Sequence, residues 1–166
     1  MELGDTWSAG PVGDGETGRD DLLRKVEHVA RGLPGGRVVT AVVVCERCGA
    51  GGVASDEFEV WEGECFCVGC LLPIDEDVLA ASFRRSGALS GVPGTLTPSP
   101  TLPCPSAAAA AGYLSCPEGH GVFQVAVALA LDPEASVRAV SVGLRCPEDG
   151  GLHVFLDNAR MDATEA

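Results

Sequence analysis

The stretch Val42-Val-Val-Cys45-Glu-Arg-Cys48, answered by Cys65-Phe-Cys67-Val-Gly-Cys70, decides how this 166-residue chain is read. Two C-x-x-C turns separated by residues 49–66 put four soft thiolates within reach of one tetrahedral cation. Zinc suits that donor set because it accepts four sulfurs and has no redox chemistry of its own. Four thiolates leave no position for water, so Cys45, Cys48, Cys67 and Cys70 are expected to form a structural centre. Cys65 is surplus, and reads either as a free thiol or as a ligand in place of Cys67.

Working outward, Arg37–Val44 is rich in β-branched residues and runs straight into Cys45. Gly49, Gly51 and Gly52 let the backbone turn after the first pair, and Phe58–Trp61 reads as a return strand. After Cys70, Pro73 and Asp75 open a helix through Ser82 or Phe83, with Val78, Leu79 and Phe83 on one face. A strand, a knuckle, a hairpin and a second knuckle leading into a helix, over about residues 37–83, resemble the treble-clef and zinc-ribbon group of metal modules. The resemblance implies zinc. It implies little about activity, because such modules serve in transcription factors, ubiquitin ligases, enzymes and scaffolds.

Residues 1–18, rich in Gly, Asp and Glu, are expected to be a disordered acidic tail. Thr17-Gly-Arg-Asp20 looks like a capping box ahead of Leu22, Leu23, Val26, Val29, Ala30 and Leu33, a helical apolar face ended by Pro34-Gly-Gly. That helix packs on a sheet or, alternatively, serves a partner. Residues 19–85 thus read as a helix plus zinc-knuckle module. Residues 86–112 read as a low-complexity linker, since Pro93, Pro98, Pro100 and Pro103 prevent regular structure. Within residues 113–159, Val122–Leu131, Val137–Arg145 and Leu152–Asp157 read as an antiparallel meander, followed by a short tail at 160–166. The expected class is α+β: a small zinc-knuckle module with flanking helices plus a C-terminal β-meander.

The meander carries its own cysteines. Cys116-Pro-Glu-Gly-His120 and Cys146-Pro-Glu-Asp-Gly echo one another as Cys-Pro turns beside apolar strands. With a hairpin turn near Glu134, Val122 falls opposite Cys146, which gathers Cys116, His120 and Cys146 at one sheet end. His153 then pairs near Arg145 and faces the other way. Cys104 could reach in from the linker as a fourth ligand, giving a candidate second zinc site; the other reading is two buried cysteines and an ordinary turn histidine.

Composition narrows the function. The net charge of −13, with Lys25 the lone lysine, argues against a phosphate-tracking surface and therefore against nucleic acid. Aromatics are only 5% of residues, so a core of Ala and Val benefits from a metal staple. No basic-then-apolar leader and no apolar run of spanning length occurs, so the eight cysteines are expected to be reduced, in a cytoplasmic protein or a nuclear one if from a eukaryotic virus. The Arg-, Ala- and Gly-rich usage suggests a GC-rich gene of bacterial or large-DNA-virus origin.

Catalytic motifs are missing: Cys48 is followed by Gly-Ala-Gly-Gly instead of a redox helix, and no H-E-x-x-H, G-x-S-x-G or deaminase H-x-E occurs. The leading expectation is a non-enzymatic regulatory or adaptor protein that binds another protein and carries one or two zinc ions. Two alternatives stand beside it. Leu144-Arg-Cys146-Pro-Glu148 resembles the L-x-C-x-E peptide with which DNA-virus proteins engage retinoblastoma-family pocket proteins, which implies Leu144, Cys146 and Glu148 as partner-binding residues. The C-terminal Cys/His cluster could instead serve a metal-dependent hydrolase, with Glu118 or Glu148 as base.

Overall fold

The computed structural model describes residues 7–8, 15–32, 34–45, 56–61, 64–86, 112–134 and 136–160. It is an α+β fold. Five antiparallel strands form one sheet in the order β1 (Trp7–Ser8), β7 (Leu152–Arg160), β6 (Val137–Arg145), β5 (Gln124–Leu131), β2 (Arg37–Val42). A hairpin of β3 (Phe58–Trp61) and β4 (Glu64–Cys67), with α2 (Glu76–Ser86), covers one face, and α1 (Gly15–Val29) covers the other. No helix among the described residues is long and apolar enough to cross a membrane.

The strand sequences explain the two faces. In Gln124-Val-Ala-Val-Ala-Leu-Ala-Leu131 the period-2 alternation sends Ala126 and Ala128 to one side and Val125, Val127, Leu129 and Leu131 to the other. Both sides are covered, so the strand is buried throughout. The small side forms a flat bed for Leu22 and Val26 of α1. Gly143 completes that bed: a Cβ there would stand 2.5 Å from Val26 Cγ1 and 3.2 Å from Leu22 Cδ1. The bulky side packs on Phe58, Phe83, Leu79 and Val60 in the main core.

Several boundaries differ from expectation. Helix α1 begins at Gly15, ahead of the Thr17 capping box, and ends at Val29. Its end is fixed by Asn158, whose Nδ2 donates to Val29 O and whose Oδ1 accepts from Arg31 N, both at 2.9 Å. A register shift between Val140 and Val142 frees Asn158 for this, with φ at 52°. Within the stretch expected to be a tail, Trp7–Ser8 pair with His153 and Leu152, using the open edge of β7. The sheet also joins what the sequence reading divided: β2, from the region of the knuckles, lies beside β5 of the meander, because the apolar run before Cys45 needs a sheet edge to bury against. The linker core, 87–111, lies outside the described residues, as does Leu33.

The β5–β6 register is one residue off the expected one: Gln124 faces Arg145, where a partner at 144 had been implied by setting Val122 against Cys146. A bulge between Ala130 and Leu131 absorbs the difference. On the other side of β6, the turn closed by the Cys146 N to Gly151 O bond sets Arg145 against Leu152, so His153 pairs with Leu144 and shares its face, in place of the expected position near Arg145 on the opposite one.

Candidate metal centres

Alternation along β2 continues past its end, so Val39, Ala41, Val43 and Cys45 all point into the main core. On β4 the inward residues are Cys65 and Cys67, and Cys70 follows in the turn. Three elements thus bring Cys45, Cys67 and Cys70 together, with their sulfurs within 4.8 Å of one another. Cys45 Sγ and Cys70 Sγ are 3.8 Å apart. A disulfide would need about 2.0 Å. A tetrahedral zinc with bonds near 2.3 Å separates its sulfurs by about 3.8 Å. Cys48 lies outside the described residues.

The second knuckle is built by the backbone. Leu71 N donates to Cys67 O at 2.8 Å and Cys67 N to Leu72 O at 3.0 Å, closing a loop that turns Cys70 back beside Cys67. Leu71 sits at φ 62°, a left-handed conformation that costs a non-glycine residue roughly 1–2 kcal/mol, while its side chain is 70% exposed. Cys65 is not part of the cluster. Burial, and then the charge of Glu64, push its thiol up to about 12, so it is an inert core side chain.

A second cluster holds Cys116, His120, Cys146 and Asp149. Three of these were expected. The fourth, Asp149, was not, and Cys104, proposed for that position, lies outside the described residues. The signal was present in the turn itself: Cys146-Pro-Glu-Asp149 repeats the spacing of Cys67-Val-Gly-Cys70. Gly150 N donates to Cys146 O at 2.8 Å and Cys146 N to Gly151 O at 2.8 Å, the same pair of bonds at the same offsets. Gly150, at φ 77°, stands where Leu71 stands in the first centre. Asp149 therefore occupies the position of a second knuckle cysteine. Opposite it, Gly119 N donates to Cys116 O at 2.8 Å, with φ 93° at Gly119, and presents His120.

The four donor atoms lie close enough to share one ion. Asp149 Oδ2 lies 3.1 Å from Cys116 Sγ and 3.2 Å from His120 Nδ1, and that nitrogen lies 3.3 Å from Cys116 Sγ and 3.5 Å from Cys146 Sγ. Tetrahedral edges between sulfur and nitrogen or oxygen around zinc run to about 3.5 Å. A nucleophilic Cys–His–Asp relay would use the two ring nitrogens for two different partners. Here both sulfurs and the carboxylate converge on Nδ1, which has one in-plane hydrogen-bonding direction, so the groups surround a common point.

Second contacts tune the donors. His120 N approaches Cys116 Sγ at 3.4 Å, and Gly151 N donates to Asp149 Oδ1 at 2.8 Å. Burial pushes the Cys146 thiol up to about 11. Burial would also raise the Asp149 carboxyl, but hydrogen bonds from Gly151, Cys116 and His120 outweigh it and hold the group below the usual carboxylate range. Glu118 and Glu148 are exposed and stand outside the donor set.

The L-x-C-x-E string is not displayed. Leu144 and Cys146 are fully buried, and Leu144 belongs to β6, which is paired on both sides by β5 and β7. An extended peptide docked in a partner's groove needs those side chains free. Comparison of the chain with protein-family models, with curated proteins and with solved structures finds no match.

Proposed function

We propose that this chain is a non-enzymatic, zinc-stapled binding module of regulatory or adaptor type, whose first centre is Cys45, Cys48, Cys67 and Cys70. The carrying observation is the convergence of three sulfurs, from the end of β2, β4 and the following turn, within 4.8 Å of one another, with Cys45 and Cys70 at a zinc-like 3.8 Å. A hairpin ending in a knuckle and followed by α2 supports a treble-clef-like layout for this part. Three sulfurs from protein at the first centre, with Cys48 proposed as the fourth, favour a structural role there over metal-dependent hydrolysis. The charge of −13, with Trp61, Leu71, Leu72 and Tyr113 exposed near the hairpin, supports a protein partner with a basic or apolar surface. Reduced, metal-bound cysteines fit a cytoplasmic or nuclear setting.

Metal analysis of the full chain, with circular dichroism during chelation, tests this. Zinc should co-purify, and stripping all of it should melt the hairpin and α2, because binding energy at such a site is folding energy. A zinc-free chain with an unchanged spectrum rejects the proposal. Cys70→Ser should lose the first ion and the same signal.

A further inference from the structure

We infer that Cys116, His120, Cys146 and Asp149 form a second zinc centre that fills and empties while the fold stands, making the chain responsive to zinc supply. The inference rests on the reading of the first centre as the structural staple.

The two centres differ in what holds their turns. In the first, a leucine, Leu71, is kept in a left-handed conformation at the knuckle. Releasing an ion there leaves the thiols around a strained loop with nothing to hold its left-handed leucine. In the second, Gly119 and Gly150 occupy the left-handed positions, which glycine adopts without strain. Both turns close through backbone bonds of 2.8 Å, and Gly151 N already orients the Asp149 carboxylate. Cys146 and Asp149 sit in the turn between β6 and β7, and the Cys116–His120 turn is bracketed by backbone bonds from Leu114 N to Val60 O and between Phe123 and Phe58, so none of these ties runs through a donor side chain.

Access differs as well. The side chains of His120 and Asp149 are 39% and 28% exposed, so water or a competing ligand can reach the ion from their side. The donor set has two thiolates, an imidazole and a carboxylate, a harder mixture than four sulfurs and one that releases zinc more readily to oxygen and nitrogen chelators. Asp149 is the residue that makes the difference: it stands at a position that a cysteine fills in the first centre.

The full-length, zinc-loaded chain can be titrated with a chromophoric chelator while far-UV circular dichroism and bound metal are followed. One ion should leave in an early phase with the spectrum unchanged, and the other only as the strands melt. Asp149→Asn, isosteric and still able to accept from Gly151, should weaken the early site at least about tenfold and leave the late one unchanged. Simultaneous release of both ions with loss of fold overturns the inference, as does an Asp149→Asn chain with wild-type stoichiometry and affinity. A wild-type chain holding a single ion indifferent to Asp149→Asn overturns it too, while the first-centre reading survives. As a check independent of the variant, cobalt added to the folded one-zinc form should give a tetrahedral absorption spectrum with thiolate charge-transfer bands. An octahedral spectrum without them overturns the assignment.

Discussion

Replacing Gly143 by alanine adds one methyl group where α1 rests on the sheet. The new Cβ would stand 2.5 Å from Val26 Cγ1, more than an ångström inside ordinary contact, and 3.2 Å from Leu22 Cδ1. Neither neighbour gives way easily. Both are buried, and a helical valine has one strongly preferred rotamer. The helix must therefore lift or tilt, at a cost of about 1–3 kcal/mol for overpacking. Against this, alanine restricts the unfolded chain and returns about 0.4–1 kcal/mol. A net loss on the order of 1–2 kcal/mol is expected. Urea denaturation followed by circular dichroism should show a lowered midpoint with an unchanged slope, and zinc content should not alter, since both centres lie on the opposite face. Val26→Ala alone should also destabilise, but combined with Gly143→Ala it should cost less than the sum, by about 0.5 kcal/mol or more. Wild-type stability in Gly143→Ala, or strict additivity in the pair, would refute the account of how α1 docks.

Asp132 gives a pH dependence. Its carboxylate accepts from Ser136 N and Glu134 N and pairs with Arg138, and these contacts, the Ser136 bond foremost, hold its pKa below the usual value against a burial penalty. Its contribution is therefore present above the unfolded pKa of about 3.9 and lost as pH falls toward the lower folded value; the stability gap between wild type and Asp132→Asn should be constant at neutral pH and close in that acid window. Cys65→Ala should leave the zinc count unchanged at a cost on the order of 1 kcal/mol, and native Cys65 should resist iodoacetamide at pH 8. Loss of metal in that variant would restore Cys65 as a ligand. Asn158→Gly keeps the left-handed backbone but removes the bonds to Val29 and Arg31, and should cost about 1 kcal/mol with fraying confined to the end of α1, read by hydrogen exchange.

The elements with local signals were legible. Alternation in Val122–Leu131 and Val137–Arg145 announced the strands, and Asp75 marked the start of α2, where its Oδ1 indeed accepts from Val78 N at 3.0 Å. The paired cysteine turns pointed to Cys45, Cys67 and Cys70 through spacing alone. What escaped depended on distant or ambiguous information. The pairing of β2 with β5 cannot be seen from either strand, because any sheet edge would satisfy the same apolar pattern. The bulge at Ala130/Leu131 shifts the register without changing composition. Asp149 was missed because Pro-Glu-Asp-Gly is common turn chemistry; only its offset from Cys146, compared with that of Cys70 from Cys67, sets it apart.

Strands β2 and β5 are immediate neighbours, yet residues 43–123 separate them along the chain. The three strands β5, β6 and β7 are joined by short turns and can meet early during folding, whereas closing β2 onto them requires a loop spanning nearly half the chain. On a ribosome, therefore, the amino-terminal cysteines emerge long before the edge that orients Cys45 exists. Until the meander is made, Cys45 lacks the sheet edge that turns it toward Cys67 and Cys70, and the Cys67–Cys70 turn, closed by its own backbone bonds, waits without that neighbour.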